Sequence, residues 1–471
     1  MTTKSQKIEG RILSIPRVVL AGTHSGVGKT SLTLAIVAAL RRRGYRVQTF
    51  KVGPDFLDPS YLALASGRPC YNLDGWMSSR EYVEGLFARA AQGADISVIE
   101  GVMGMYDGAG PASSEGSTAE IARWLKAPVL LVVDASGMAF SLAAMVKGYA
   151  EFEPDLRICG VIANRCGTAW HVAALAEALQ ASSLPPLVGG IPLGALPNLP
   201  SRHLGLVTAD SRTLSAEIIE KLALAWETHA TVEEVVKLSQ SAPPLSASPG
   251  EKVKTSRRVR IGIPYDAAFH FYYPDLLDEL EAAGGEVHRF SPIQDSHLPR
   301  GLQGLYLGGG YPEEHAEALA ANENMLSDIR QLAVSGRPIY AECGGLMYLG
   351  QKLETLDGRE HSLVGVLPAT TRMLPLRKAL GYVEIELRED SLWGSRGATL
   401  RGHEFHYSEL VSEPAGKEGW RAVYNLRRRD TQKTRWEGFQ RGRVLASYAH
   451  LHLASRPEAV KRFLSLCEEK R

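Results

Sequence analysis

Two clusters of residue types in this 471-residue chain could do chemistry. The first is Gly22-Thr23-His24-Ser25-Gly26-Val27-Gly28-Lys29-Thr30. Glycines at this density let backbone N–H groups curl around an anion, and a helix starting at the end of the run adds positive potential. Lys29 could then reach terminal phosphates, and the Thr30 hydroxyl could ligate Mg²⁺. The opening glycine stands one position earlier than the usual spacing, at Gly22, with Thr23 in its place. The second cluster is Cys343-Gly344-Gly345, a thiol followed at once by two glycines. Upstream of it, Gly308-Gly309-Gly310 exposes backbone N–H groups that suit an oxyanion hole, or simply a sharp turn. A thiol nucleophile wants a base, and the best placed are in Val444-Leu445-Ala446-Ser447-Tyr448-Ala449-His450-Leu451-His452. His403 and His406 compete, and these residues alone leave the choice among four histidines open.

Such groups work only when regular elements hold them. Val18, Val19 and Leu20 read as a buried strand leading into the first loop, and residues 32–43 carry a helical pattern after it. Further strands follow at 45–51, 96–100, 128–134 and 158–163, separated by helical stretches. Alternation of this kind predicts a parallel sheet covered on both faces, with ligands beyond the carboxyl ends of its strands. Asp55 and Glu100 stand at such ends, so Thr30, Asp55 and Glu100 are the expected Mg²⁺ ligands, directly or through water. Capping of a helix or turn is the alternative role for each acid. Asp58 and Asp107 are weaker candidates, since Asp beside Gly or Pro is common turn chemistry. Asn164 suits the edge of adenine or a cap, and Asp134 reads as structural. Residues 239–258 are rich in Ser and Pro and read as a linker. Beyond them the alternation restarts, with strands at 259–263, 286–290 and 302–307 and a helix at 274–283. The segment 338–349 then reads as a strand, the thiol and a helix, an elbow in which the helix dipole favours thiolate.

The composition narrows the class. Net charge is +1, with 53 Lys and Arg against 52 Asp and Glu, so no basic surplus argues for nucleic acid or an anionic membrane. The first seventeen residues lack an apolar core of signal-peptide length, and no apolar stretch is long enough to span a membrane. The five cysteines are scattered, without metal-ligand spacing, which favours a reducing, cytoplasmic setting.

The first loop, with its shifted glycine, resembles that of dethiobiotin synthetase-like P-loop enzymes. Cys343-Gly344-Gly345 and Gly308-Gly309-Gly310-Tyr311-Pro312-Glu313 resemble a class I glutamine amidotransferase. Together with Lys51-Val52-Gly53-Pro54-Asp55, Glu100-Gly101-Val102-Met103-Gly104 and Gly402-His403-Glu404-Phe405-His406-Tyr407, they resemble the cobyrinate a,c-diamide synthase family over nearly the whole chain. The implied fold class is α/β, with two doubly wound domains: an N-terminal P-loop parallel sheet and a C-terminal flavodoxin-like glutaminase. The implied division is an extension at 1–16, an ATP-dependent amide synthase domain at 17–238, a linker at 239–258 and a glutaminase domain at 259–471.

By motif, the resemblance implies Cys343 as nucleophile and His450 as base, with the N–H groups of Gly308, Gly309, Gly310 and Gly344 holding the oxyanion. ATP is expected on Thr23, His24, Ser25, Gly26, Val27, Gly28, Lys29, Thr30 and Asn164, with Mg²⁺. Asp55, Phe56, Leu57 and Asp107 are expected near the substrate. The implied reaction is amidation of two carboxylates of a tetrapyrrole polycarboxylate through acyl phosphates, using glutamine. The expected partners are these small molecules, without nucleic acid or membrane, and a homodimer is compatible with the reading. Two departures stand out. Many class I glutaminases place Glu two residues after the catalytic histidine, where this chain has His452, so a Cys–His dyad is implied. Phe140 and Leu193 replace residues expected to be basic. Related tetrapyrrole amidases, acting on hydrogenobyrinate or nickel-sirohydrochlorin or forming cobyric acid, share these motifs. A P-loop switch protein with an inert glutaminase-like domain generally carries an extra lysine early in the loop, which 22–24 lack.

Overall fold

Continuously apolar strands such as Val129–Asp134 can be satisfied only by burial on both faces, and they set the architecture of the first of two units. The computed structural model describes residues 11–199, 201–202, 205–206, 213–247 and 258–469. The chain divides into Met1–Gly250 and Glu251–Arg471.

In the first unit the order is β1 (Arg11–Leu13), β2 (Arg17–Gly22), α1 (Lys29–Arg42), β3 (Val47–Val52), α2 (Leu57–Ser66), β4 (Tyr71–Leu73), α3 (Arg80–Ala90), β5 (Ile96–Glu100) and α4 (Thr118–Trp124). There follow β6 (Val129–Asp134), α5 (Ser141–Phe152), β7 (Ile158–Cys166), α6 (Ala169–Ala181), β8 (Leu187–Pro192), β9 (Ser201–Arg202), β10 (Gly205–Leu206), α7 (Ala216–His229), α8 (Val232–Gln240) and β11 (Leu245–Ala247). Seven parallel strands form one sheet in the order β4-β3-β5-β2-β6-β7-β8. Alternate residues of β2 feed separate cores: Val19 and Ala21 on one face, Val18 and Leu20 on the other. The parallel order brings the ends of β2, β3 and β5 side by side, and these are the ends that carry the candidate residues.

Two expected boundaries need correction. The start of the 239–258 segment is folded, because Ser239 and Gln240 end α8 and β11 pairs antiparallel with β1. Pairing with β1 also draws residues 11–13 of the expected extension into the unit. A buried arginine is one cause: Arg17 donates to the carbonyls of Ile15, Leu125 and Pro243 at 2.6 to 2.8 Å, tying the 243 segment to the foot of β2. Leu245 is buried as well.

The second unit runs β12 (Val259–Pro264), α9 (Pro274–Ala282), β13 (Gly285–Phe290), β14 (Gly304–Leu307), a 3₁₀ turn at Pro312–His315, α10 (Ala316–Ala321), α11 (Glu323–Val334), β15 (Ile339–Glu342) and α12 (Gly344–Leu349). It continues with β16 (Gly350–Glu354), β17 (Glu360–Ser362), β18 (Leu367–Met373), β19 (Ala379–Leu387), β20 (Thr399–His406), β21 (Ser408–Leu410), β22 (Arg421–Arg428), β23 (Thr434–Arg441), β24 (Val444–Ser447), β25 (His450–Leu451) and α13 (Glu458–Glu468). Its main sheet is β13-β12-β14-β15-β24-β23-β22-β19-β20-β25. The first five strands are parallel, the half expected from the sequence, and the rest continue antiparallel. Only Tyr448 and Ala449 separate β24 from β25, yet the two strands lie five places apart in the sheet. The antiparallel half must therefore curl back, and that curl brings His450 beside His403 of β20.

Candidate active site

The phosphate-type loop joins β2 to α1. Gly26 and Gly28 take φ of 81° and 98°, which lets the chain turn into the helix without a Cβ clash. The shifted glycine has a packing reason: a Cβ on Gly22 would lie 2.6 Å from Val27 Cγ1 and 3.0 Å from Lys29 Cδ. Lys29 thus lays its stem across the end of β2, and its Nζ donates to Met103 O at 2.5 Å and His24 O at 3.3 Å. Thr23 is half-buried, while His24, Ser25 and Gly26 are exposed at the tip. Asn164 does not present its amide nitrogen outward as a reader of adenine. It donates to Val27 O at 2.8 Å and packs so closely that a Cβ on Gly28 would lie 2.3 Å away, so it braces the loop. Arg165 holds Gly26 O at 2.9 Å and pairs with Asp134, giving that acid the structural role expected.

Beneath the loop is a buried charge cluster. Thr30 Oγ1 donates to Glu100 Oε1 at 2.7 Å and lies 3.3 Å from Asp58 Oδ2. Lys51 Nζ sits between the same two acids, 2.6 Å from Asp58 Oδ2 and 2.7 Å from Glu100 Oε1. Of the expected metal trio, then, Thr30 and Glu100 meet, but the third partner is Asp58. Asp55 is occupied otherwise, its Oδ1 accepting from the backbone N–H of Leu57 at 2.7 Å and of Asp58 at 3.2 Å as a cap at the start of α2. Burial, then the charge of Asp58, raises the Asp55 carboxyl to about 7. Burial works against the charge on Lys51, but Asp58 and Glu100 outweigh it and hold the ammonium. Burial and the neighbouring charge of Lys51 lower Lys29 to about 8. Among the described residues no group of three or more His, Cys, Asp or Glu could hold a metal alone. The donors nevertheless fit Mg²⁺ carried by a nucleotide. Glu100 Oε2 is buried without a hydrogen-bond partner among the described residues, next to a hydroxyl, and the Lys51–Asp58–Glu100 set has one negative charge in excess.

Asp107 is exposed and accepts from Gly104 N at 2.9 Å, closing the loop after β5. Phe56 and Leu57 are half-buried at the start of α2. Phe140 and Leu193 are 68% and 75% exposed.

In the second unit Cys343 joins β15 to α12 with φ 45° and ψ −101°, a strained conformation for a residue with a side chain, as an elbow requires. The two glycines after it allow close approach. A Cβ on Gly345 would lie 2.2 Å from Leu307 O, and one on Gly344 3.1 Å from Gly310 N. Gly310 N thus borders the elbow. Gly309 borders His450, since its Cβ would lie 2.4 Å from His450 Cε1. Gly308 is the exception among the expected oxyanion donors. Its N–H donates to Tyr272 Oη at 2.9 Å, and the Tyr272 ring covers it.

The curl of the sheet sorts the four histidines. His406 Nδ1 bonds to Ser408 O at 2.8 Å and its ring stacks on Tyr448. His452 lies 3.3 Å from Asp275, and His403 bonds to Tyr273 Oη at 3.1 Å. His450 stacks on His403 at 5.0 Å and is the ring against the glycine loop. Burial pushes the Cys343 thiol well up, with Glu313 adding to it and the backbone N–H of Gly344 opposing. Burial also lowers His450 to about 3, leaving it neutral.

Residues 18–207 match the CobQ/CobB/MinD/ParA nucleotide binding domain, and residues 260–458 the CobB/CobQ-like glutamine amidotransferase domain. A cobyrinate a,c-diamide synthase of Syntrophotalea carbinolica is 55% identical over 459 residues, 97% of this chain and 99% of that protein. The chain belongs to the cobyrinate a,c-diamide synthase family. Synthases of that name from Leptospira interrogans and Priestia megaterium are 42% and 39% identical, each over 97% of this chain and 98% or more of their own. As a member of this family the chain is a ligase with a glutamine amidotransferase domain and a nucleotide-binding domain, and among the described residues no helix is long and apolar enough to cross a membrane. Within this cobyrinate a,c-diamide synthase framework, the sequence reading assigned Lys51 no role and ranked Asp58 low, yet both sit in the buried charge cluster. The available signal was a lysine next to the end of a buried strand, Lys51 in β3.

Proposed function

We propose that this chain amidates the a and c acetate side-chain carboxylates of cobyrinate, using ATP and glutamine, through acyl-phosphate intermediates. In this reading the first unit is the amide synthase domain and the second the glutaminase domain. The observation that carries it is the pairing, on one chain 55% identical to a cobyrinate a,c-diamide synthase, of a phosphate-type loop with a cysteine elbow.

Cys343 Sγ attacks the amide carbon of glutamine as its proton passes to His450. The carbonyl pair moves to oxygen, where the N–H groups of Gly310 and Gly344 stabilise it. Collapse expels ammonia with the proton from His450, leaving a thioester that water hydrolyses to glutamate and the free thiol. At the other site an oxygen of the substrate carboxylate attacks the γ-phosphorus of ATP and ADP departs. Ammonia then attacks the acyl carbon and inorganic phosphate leaves. Activation is needed because a carboxylate is a poor electrophile. Lys29 and the N–H groups of the 23–30 loop spread the charge developing on the phosphates. Mg²⁺ supplies Lewis-acid charge at the phosphoryl oxygens, and Thr30, Glu100 and Asp58 are the side chains that would hold it. Asp55, Phe56, Leu57 and Asp107 surround the substrate carboxylate in this reading, and Asn164 contributes by holding the loop.

The test is mass spectrometry of products from cobyrinate with ATP, Mg²⁺ and glutamine, run beside hydrogenobyrinate and nickel-sirohydrochlorin. Conversion of two carboxyls of cobyrinate to carboxamides is expected. An unchanged mass, or faster conversion of another tetrapyrrole, would overturn the reading.

A further inference from the structure

Two residues beyond His450 stands a histidine, not an acid, and its partner lies elsewhere. His452 Nε2 is 3.3 Å from Asp275 Oδ2, and its ring packs against Tyr273 at 4.8 Å. A carboxylate does face His450, but from β15: Glu342 Oε2 lies 3.9 Å from His450 Nδ1. The other oxygen of Glu342 accepts from the backbone N–H of Leu451 at 2.9 Å, so the residue next to His450 holds the carboxylate in place. Glu342 also directly precedes Cys343. One acid therefore touches both the strand that delivers the nucleophile and the strand that delivers the base.

We propose that Glu342 is the positioning residue of the glutaminase site, accepting the Nδ1 proton of His450 and leaving Nε2 as the base toward Cys343. The inference rests on the glutaminase reading above. Elimination among the buried acids of this unit supports it. Asp275 faces His452, Glu404 pairs with Arg435, and Glu437 accepts from Ser447 Oγ at 2.5 Å and Tyr448 N at 2.8 Å. Electrostatics supports it too. Proton transfer from Cys343 to His450 creates an ion pair in a buried, low-dielectric site, and an adjacent carboxylate stabilises the imidazolium at the moment it forms. Glu342 and His450 are 3% and 1% exposed, so that stabilisation is weakly screened. At 3.9 Å the pair is longer than a hydrogen bond, and catalytic contacts commonly tighten on binding substrate.

The experiment compares glutamine-dependent and ammonia-dependent amidation by the full chain carrying Glu342→Gln. Glutamine-dependent kcat should fall by about 10²-fold, with KM for glutamine and ammonia-dependent turnover within about threefold of wild type. Alkylation of Cys343 by a glutamine-like chloroketone should slow in parallel. Glu342→Asp should recover part of kcat, and it decides the matter if the Gln variant does not fold. His452→Gln should keep kcat. The proposal is overturned if the Gln variant keeps wild-type kcat, if both nitrogen sources fail together, if only KM changes, or if His452→Gln produces the kcat loss instead. Where the Gln variant does not fold, wild-type kcat in Glu342→Asp overturns it. Retention of glutamine use by Cys343→Ala has a different meaning, because it removes the glutaminase reading itself.

Discussion

Lys51 and Cys343 both lie at the carboxyl ends of parallel strands, β3 and β15, and both are buried, yet burial leaves one charged and the other neutral. Around Lys51 the neighbours are carboxylates of opposite sign, Asp58 and Glu100, and their attraction outweighs desolvation. Around Cys343 the acids Glu313, Glu342 and Glu404 add to the cost of a thiolate. His403 and His450 are likewise held neutral by burial. The first site stores charge before its ligand arrives, and the negative charge in excess there suits the cation that a nucleotide carries. The second forms charge only as the thiol reacts, which keeps an idle nucleophile unreactive.

That contrast can be broken most forcefully at the loop lysine. Lys29→Ala should lower amidation by about 10³-fold with glutamine and ammonia alike, since activation of the carboxylate precedes use of either. If ammonia-dependent turnover survives, the charge-storing site is not the activating one. Cys343→Ala should abolish glutamine use and leave ammonia-dependent turnover within about twofold of wild type, which separates the two sites functionally. Lys51→Met tests stored charge directly. It leaves Asp58 and Glu100 facing each other, and urea unfolding should show a loss of about 3–5 kcal/mol in the first unit. Smaller is Asn164→Ala, which removes one buried hydrogen bond to Val27 O and should weaken ATP binding by about tenfold, or ~1.4 kcal/mol, in titration calorimetry. Least is the effect of pH. Lys29, lowered to about 8 by burial and Lys51, loses its proton as pH rises through that value, so ATP affinity should decline above it, by at most about tenfold per pH unit. Affinity constant from pH 7 to 9 would mean that the lysine keeps its charge in the pocket.

Much of the first unit was legible because parallel strands buried on both faces leave continuous apolar runs, and the glycines of 22–28 announce a turn that other residues could not make. The antiparallel half of the second unit was less legible. Its strands β19, β20, β22 and β23 mix exposed arginines and glutamates with buried residues, and no turn motif signals that the sheet curls. Within the sites, Thr30, Glu100 and Cys343 were named from motif and position, and His450 was singled out from four histidines only by the family resemblance. Asp58 was ranked below Asp55 because an Asp beside Pro reads as turn chemistry, whereas in the fold it is Asp55 that caps α2. Gly308 was counted among the oxyanion donors because consecutive glycines look alike until Tyr272 takes one N–H.

By itself, then, the order of residues determined that a phosphate-type loop and a thiol elbow exist, because each depends on backbone conformations that neighbouring residues impose: positive φ at Gly26, Gly28 and Cys343, and space beside Gly344 and Gly345. Only the tertiary structure decided which acid meets which base. Lys51, Asp58 and Glu100 come together through the pairing of β3 with β5, and Glu342 faces His450 because a sheet curls, and pairings between distant strands are set by packing that no local stretch of sequence contains.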